Sequence, residues 1–201
     1  MSSAEVPQYV TMQDYLAKEE SARTKSEYVD GWVRAMTGAT NRHNRVALNC
    51  LVKLSMLLDG RSCQPFNSDT KLKIDRDHRK RFYYPDAQVV CRSTEPQCVY
   101  QEEPVLIIEV LSPSTRRYDL EEKMEAYLSI PSLECYVVIE QHQPIAVVLR
   151  RTADGFTREV LQGTHQTIDL PFLSGLLSLS DVYRGVEFTE TCVQEPDPEY
   201  C

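Results

Sequence analysis

Apolar positions along the chain change period several times, and each change marks an element. Met12, Tyr15 and Leu16 share one helical face over residues 11–22, and Thr11 can cap it, so a short helix is expected there. Residues 26–37 (SEYVDGWVRAMT) read as two short strands around an Asp30-Gly31 turn. Val46, Ala47, Cys50, Leu51, Leu54, Leu57 and Leu58 then recur at helical spacing. A long helix therefore runs from Thr40 or Asn41 to about Leu58, closed by Asp59-Gly60.

The pattern then turns to strands, expected at 62–67, 70–74, 84–91 and 105–111. Residues 75–79 form a turn between two of them, and 92–103 a polar loop. A second helix is expected over 120–129, with Asp119 as N-cap, Glu122 completing a capping box and Pro131 as the stop. Its buried stripe is Leu120, Met124, Tyr127 and Leu128, with Lys123 on the edge. Strands follow at 133–140, 145–150 and 156–162. Residues 171–183 read as an apolar loop and short turn on the core. The link from 105–111 through the helix to 133–139 is a crossover, so those two strands are parallel. Shorter links make the earlier strands antiparallel. The fold class is α/β, in the α+β sense of a mixed sheet flanked by helices.

At 201 residues, one domain over 1–184 is the expectation. The last 17 residues hold five acids and no Lys or Arg, so 185–201 reads as an acidic, flexible tail. No apolar run spans a bilayer and the N-terminus lacks a signal-peptide pattern, so the cytoplasm is the expected compartment and no membrane partner is expected. Seven cysteines without a CxxC spacing read as reduced and structural, and no Cys or His pair has the spacing of a zinc site. A net charge of −8 opposes strong non-specific binding to nucleic acid. Residues 71–81 are locally basic: Lys71 and Lys73 open a run that is either a phosphate-contacting patch or a solvated hairpin tip.

The chemistry lies in PVLIIEVLSPSTRRYDLEEK, residues 104–123. Glu109 stands among aliphatic residues, where an unpaired carboxylate is costly. Asp86 lies in a second apolar segment, YYPDAQVVC. If the two segments pair, both acids can converge on one divalent cation, and hard oxygen ligands favour Mg²⁺, with Mn²⁺ as substitute. Lys123 either reaches this pair or snorkels over apolar surface.

The stretches EYVDGWVRAMTGATNRHN, YYPDAQVV and PVLIIEVLSPSTRRYDLEEKMEAYLSIPSLECYVVIE resemble the Uma-type restriction endonuclease family of the PD-(D/E)xK nuclease superfamily. The resemblance implies a restriction-endonuclease-like fold and Mg²⁺-dependent cleavage of DNA. It implies that Asp86, Glu109 and the Val110 carbonyl hold metal, joined by Glu27, and that Lys123 completes the catalytic set. The superfamily lysine expected two residues after Glu109 is replaced by Leu111, and Lys123 on the next helix is the substitute. His43 falls where the family carries a histidine, in a supporting role. Arg116 and Arg117 flank the site loop and could meet phosphate. Ser112 reads as turn-forming. Two other readings stand beside this one. One is a catalytically degenerate nucleic-acid- or protein-binding module. The other is a structural protein in which Lys123 simply satisfies Glu109 and no cleft exists. Cleavage of both duplex strands suits a homodimer, although no sequence patch identifies its interface.

Overall fold

The computed structural model describes residues 9–113 and 115–188. Helix α1 (Met12–Ser21) starts at Thr11, whose side chain accepts the Asp14 N–H at 3.2 Å. Strands β1 (Ser26–Val29) and β2 (Trp32–Ala35) form the expected hairpin, with Asp30 and Gly31 both at positive φ. Helix α2 (Asn41–Leu57) starts at Thr40, whose side chain accepts the His43 N–H at 3.1 Å.

Strands β3 (Gln64–Asn67), β4 (Lys71–Arg76), β5 (Arg79–Tyr83), β6 (Ala87–Val90), β7 (Tyr100–Gln101) and β8 (Pro104–Leu111) follow. The expected turn over 75–79 contracts to Asp77 and His78, both at positive φ, and Arg79–Tyr83 becomes a strand. It pairs with β4 and β1, burying Phe82 and Tyr83, and the basic residues before them masked that apolar end. Tyr84, Pro85 and Asp86 form a connector before β6. Pro85 has no N–H to give a ladder, and the Asp86 N–H turns to the Glu109 side chain, so regular pairing begins at Ala87.

After β8 the chain is helical from Arg116 to Leu128: α3 (Arg116–Tyr118), one π-helical turn (Asp119–Lys123) and α4 (Met124–Leu128). Asp119 therefore lies inside the helical run and is buried, not at its N-cap; the expected capping box does not form. The reason is tertiary, since Asp119 points to a buried ammonium instead of backbone donors. The π turn also rotates Asp119 and Lys123 inward, leaving Leu120, Met124 and Leu128 only partly buried.

Strands β9 (Cys135–Glu140), β10 (Ile145–Thr152) and β11 (Gly155–Gln162) complete the larger sheet. The loop expected over 171–183 is more ordered than its sequence suggests. With β12 (Thr167–Leu170) it forms a 3₁₀ turn (Pro171–Leu173), strand β13 (Gly175–Ser178) and helix α5 (Leu179–Val182). Val186 and Phe188 pack on the core, and residues 189–201 of the proposed tail lie outside the described residues.

The six-stranded sheet has the order β11-β10-β9-β8-β6-β3, with β8 and β9 parallel and the other pairs antiparallel. A five-stranded sheet, β2-β1-β5-β4-β7, is separate. One face of the six-stranded sheet, carrying Leu106, Ile108 and Val110, packs against α2 and the C-terminal elements. The other face, with Ile107 and Leu111, packs against α4 and the five-stranded sheet. Helix α1 covers the far side of that second sheet through Tyr15, Tyr28 and Phe82.

Cys63 and Cys91 form a disulfide, which corrects the reading of all cysteines as reduced. They flank β3 and β6, whose register pairs Gln64 with Val90, so the next residues outward face each other. Cys50 and Cys135 are buried thiols and Cys98 an exposed one. No helix among the described residues is long and apolar enough to cross a membrane.

Candidate active site

Where β6 stops pairing with β8, the last residues of β8 open into a cleft of about 340 Å³. Asp86, Glu109, Val110, His43, Asp119 and Lys123 line it. Asp86 is fixed on both oxygens. Its Oδ2 accepts the Val110 N–H at 2.8 Å, and its Oδ1 lies 3.0 Å from His43 Nε2. The Asp86 N–H makes a long contact, 3.4 Å, to Glu109 Oε2. Asp86 and Glu109 therefore converge as their two segments suggested.

Glu109 Oε1 accepts the Tyr127 hydroxyl at 2.8 Å and the Lys123 ammonium at 3.2 Å. Lys123 Nζ also lies 2.9 Å from Glu27 Oε1 and 3.2 Å from Asp119 Oδ1, the latter without hydrogen-bond alignment. Lys123 thus reaches the acid pair instead of snorkelling. The direct pair alone would suit a structural role, but that role also required the absence of a cleft, and a cleft is present.

Four carboxylates, from Glu27, Asp86, Glu109 and Asp119, surround one ammonium and one imidazole. Burial raises the Glu109 pKa well above 4.5; the Lys123 charge opposes this, and Asp119 and Asp86 reinforce it. Burial works against the Lys123 charge, but Glu109, Glu27 and Asp119 outweigh it and hold the ammonium well above 10.5. Burial also raises Asp119, against the pull of Lys123. Burial is the largest influence on His43 and lowers its pKa, but the Asp86 hydrogen bond together with the Asp86 and Asp119 charges outweighs it, for a net upward shift.

The oxygen donors suit a hard cation. Among the described residues Glu109 Oε2 has only the long Asp86 contact, and the Val110 carbonyl lies on the same strand edge as the Val110 N–H that meets Asp86. Two carboxylates and a carbonyl leave positions for water, as Mg²⁺ prefers. Among the described residues no group of three His, Cys, Asp or Glu side chains is arranged as a metal cage. Glu27 is held by Lys123 and lines an adjoining pocket instead of the main cleft.

The basic residues singled out in the sequence lie elsewhere. Lys71 is buried with its ammonium 5.3 Å from the Tyr84 ring, and burial lowers its pKa. Lys73 pairs with Glu102 at 2.7 Å. Arg116 pairs with Glu140, and exposed Arg117 contacts Glu121 at 3.1 Å. The cleft's other cations are Arg23 and Lys25, from the α1–β1 connector, which the sequence did not single out. Asp119, read from the sequence as a helix cap, and Tyr127, read as part of the buried stripe, are both site residues. The i,i+4 spacing of Asp119 and Lys123 was the available signal for the first.

A family model described as "Putative restriction endonuclease", Uma2, matches residues 12–181. The chain belongs to the Uma2 family. Two similar proteins come from Synechocystis sp. The uncharacterized protein slr1290 is 28% identical over 177 residues, covering 88% of this chain and 92% of that protein. The uncharacterized protein sll1609 is 33% identical over 135 residues, covering 66% and 75%. A crystal structure from Anabaena variabilis, titled as a putative nuclease belonging to DUF820, superposes with a TM-score of 0.69. It covers 87% of this chain and 97% of that one at 17% identity, which establishes a shared fold. The Uma2 match spans every cleft residue named above, so the restriction-endonuclease-like fold and the acid cluster coincide in one stretch of chain.

Proposed function

We propose that this protein is a divalent-metal-dependent DNA endonuclease that hydrolyses phosphodiester bonds. The observation that carries the reading is the surplus of carboxylates around a single lysine at the mouth of a cleft. Asp86, Glu109 and the Val110 carbonyl would hold Mg²⁺, or Mn²⁺ in its place. The bound ion would polarise a phosphoryl oxygen and lower the pKa of a water. Lys123 would stabilise charge that develops on the phosphate, while Glu27 and Asp119 keep it protonated and Tyr127 orients Glu109. His43 positions Asp86. The DNA substrate is inferred from the family description.

One observation favours a second reading. Lys123 is engaged by three carboxylates, which would suit a module that binds metal and nucleic acid without cutting. Plasmid and duplex-oligonucleotide cleavage with Mg²⁺, Mn²⁺ and EDTA separates the two. Wild-type protein should cut only with metal, and Asp86→Asn and Glu109→Gln should each lose about 100-fold or more while folding normally. Cleavage at the wild-type rate by both variants would overturn the metal site. Metal binding in calorimetry with no cleavage of any duplex would favour the binding module.

A further inference from the structure

Helix α2 is covered on one face and bare on the other. Val46, Cys50 and Leu54 are buried in the core, while Leu48, Val52 and Met56 are 50%, 48% and 67% exposed. At 100° per residue the exposed set is centred about 160° from the buried set. A surface helix ordinarily carries polar side chains there. These three instead form one apolar stripe at i, i+4 and i+8.

Charged residues close the stripe at both ends. Arg45 precedes it and Asp59 follows just past the helix; both are exposed, and neither forms an ion pair among the described residues. From Arg45 through Leu48, Val52 and Met56 to Asp59 the steps are three, four, four and three residues. The spacing is thus a palindrome centred on Val52, with opposite charges at its two ends.

We infer that α2 pairs antiparallel with α2 of a second copy of this chain, about a two-fold axis at Val52. That arrangement sets Val52 against the partner's Val52 and Leu48 against the partner's Met56. It also sets Arg45 against the partner's Asp59, twice by symmetry. A two-fold interface must be self-complementary in this way. A parallel pairing would instead bring Arg45 to the partner's Arg45. The apolar stripe and the chain's net charge of −8 disfavour a nucleic-acid backbone as the occupant. One helix of about 25 Å gives an interface at the small end of specific association, so the dimer is concentration-dependent. His43 sits in the first turn of α2, so the two clefts lie at opposite ends of the helix pair.

Sedimentation equilibrium of the full chain tests this without reference to catalysis, once a non-reducing gel has shown no intermolecular disulfide. The mass should approach twice 23.1 kDa at about 100 µM and fall on dilution. Val52→Glu should raise the dissociation constant by about 10-fold or more, by placing two carboxylates at the axis. Arg45→Glu should weaken the dimer, and Arg45→Glu combined with Asp59→Arg should restore it, all with unchanged circular dichroism. A wild-type monomer throughout that range would overturn the assignment. So would a dimer indifferent to Val52→Glu, or one that the charge swap fails to rescue.

Discussion

Leu106, Ile108 and Val110 point from β8 toward α2, while Ile107, Glu109 and Leu111 point toward the helical run of residues 116–128. Neighbouring residues of one strand thus enter two different interiors. The α2 side around Ile108 is apolar throughout its buried cluster, and such burial contributes about 25 cal/mol per Å². The opposite side holds Glu109, Lys123, Asp119 and Glu27, each at most 5% exposed. Burying ions without full compensation costs stability, so this second interior is organised for something other than holding the fold. The contrast shows how one strand can anchor a core and present a reactive site, because alternation separates the two tasks by a single residue.

The strongest way to break this contrast is Lys123→Met. It leaves Glu27, Glu109 and Asp119 without their shared cation, and should cost about 3–5 kcal/mol in urea unfolding. Glu109 already titrates above 4.5, so its contribution is present below 4.5 and is lost as pH rises through the raised value. Removing the ammonium raises that value further. The variant's deficit should therefore grow with pH, and a pH-independent deficit would show that the ion cluster is not the cause. Ile108→Ala on the other face should cost about 2–5 kcal/mol through a cavity. Its deficit should stay flat with pH, and a deficit that followed the titration of the carboxylates would blur the division between the faces.

The smallest effect tests the link between them. His43 belongs to α2 but bonds Asp86, and its pKa is raised above 6.5. Its stabilisation is fully present below 6.5 and is lost as pH rises through the higher folded value. In EDTA, unfolding midpoints at about pH 6 and about pH 9 should differ less in His43→Gln than in the wild type. Equal differences in both proteins would mean that the imidazole does not couple the two faces.

Much of the site was legible because its cost was legible. A glutamate among Val, Leu and Ile needs compensation wherever the chain folds, and Asp86 in a second apolar segment offered a place for the second acid. The parallel β8–β9 pair followed from the helical crossover between them. What escaped was decided by contacts. The turn reading ended at Arg79 and gave 80–83 no strand because the charges there lie at the exposed hairpin tip, while Phe82 and Tyr83 are buried by two neighbouring strands. Asp119 had the composition of a cap, yet the π turn carries it inward to Lys123. The basic run at 71–81 left a phosphate patch and a solvated hairpin tip both open, and the contacts are what separate them: Lys73, Arg79 and Arg81 each face an acid.

The sequence by itself determined the main helices and most strands, the alternation along β8, and the family, since periodicity and local motifs are properties of neighbouring residues. Only the tertiary structure decided which charges meet: Lys123 with Glu27, Glu109 and Asp119; His43 with Asp86; Cys63 with Cys91. Those partners are set by register, by one π turn and by how two sheets pack. A carboxylate's need for compensation is local, whereas the identity of what compensates it depends on distances across the fold.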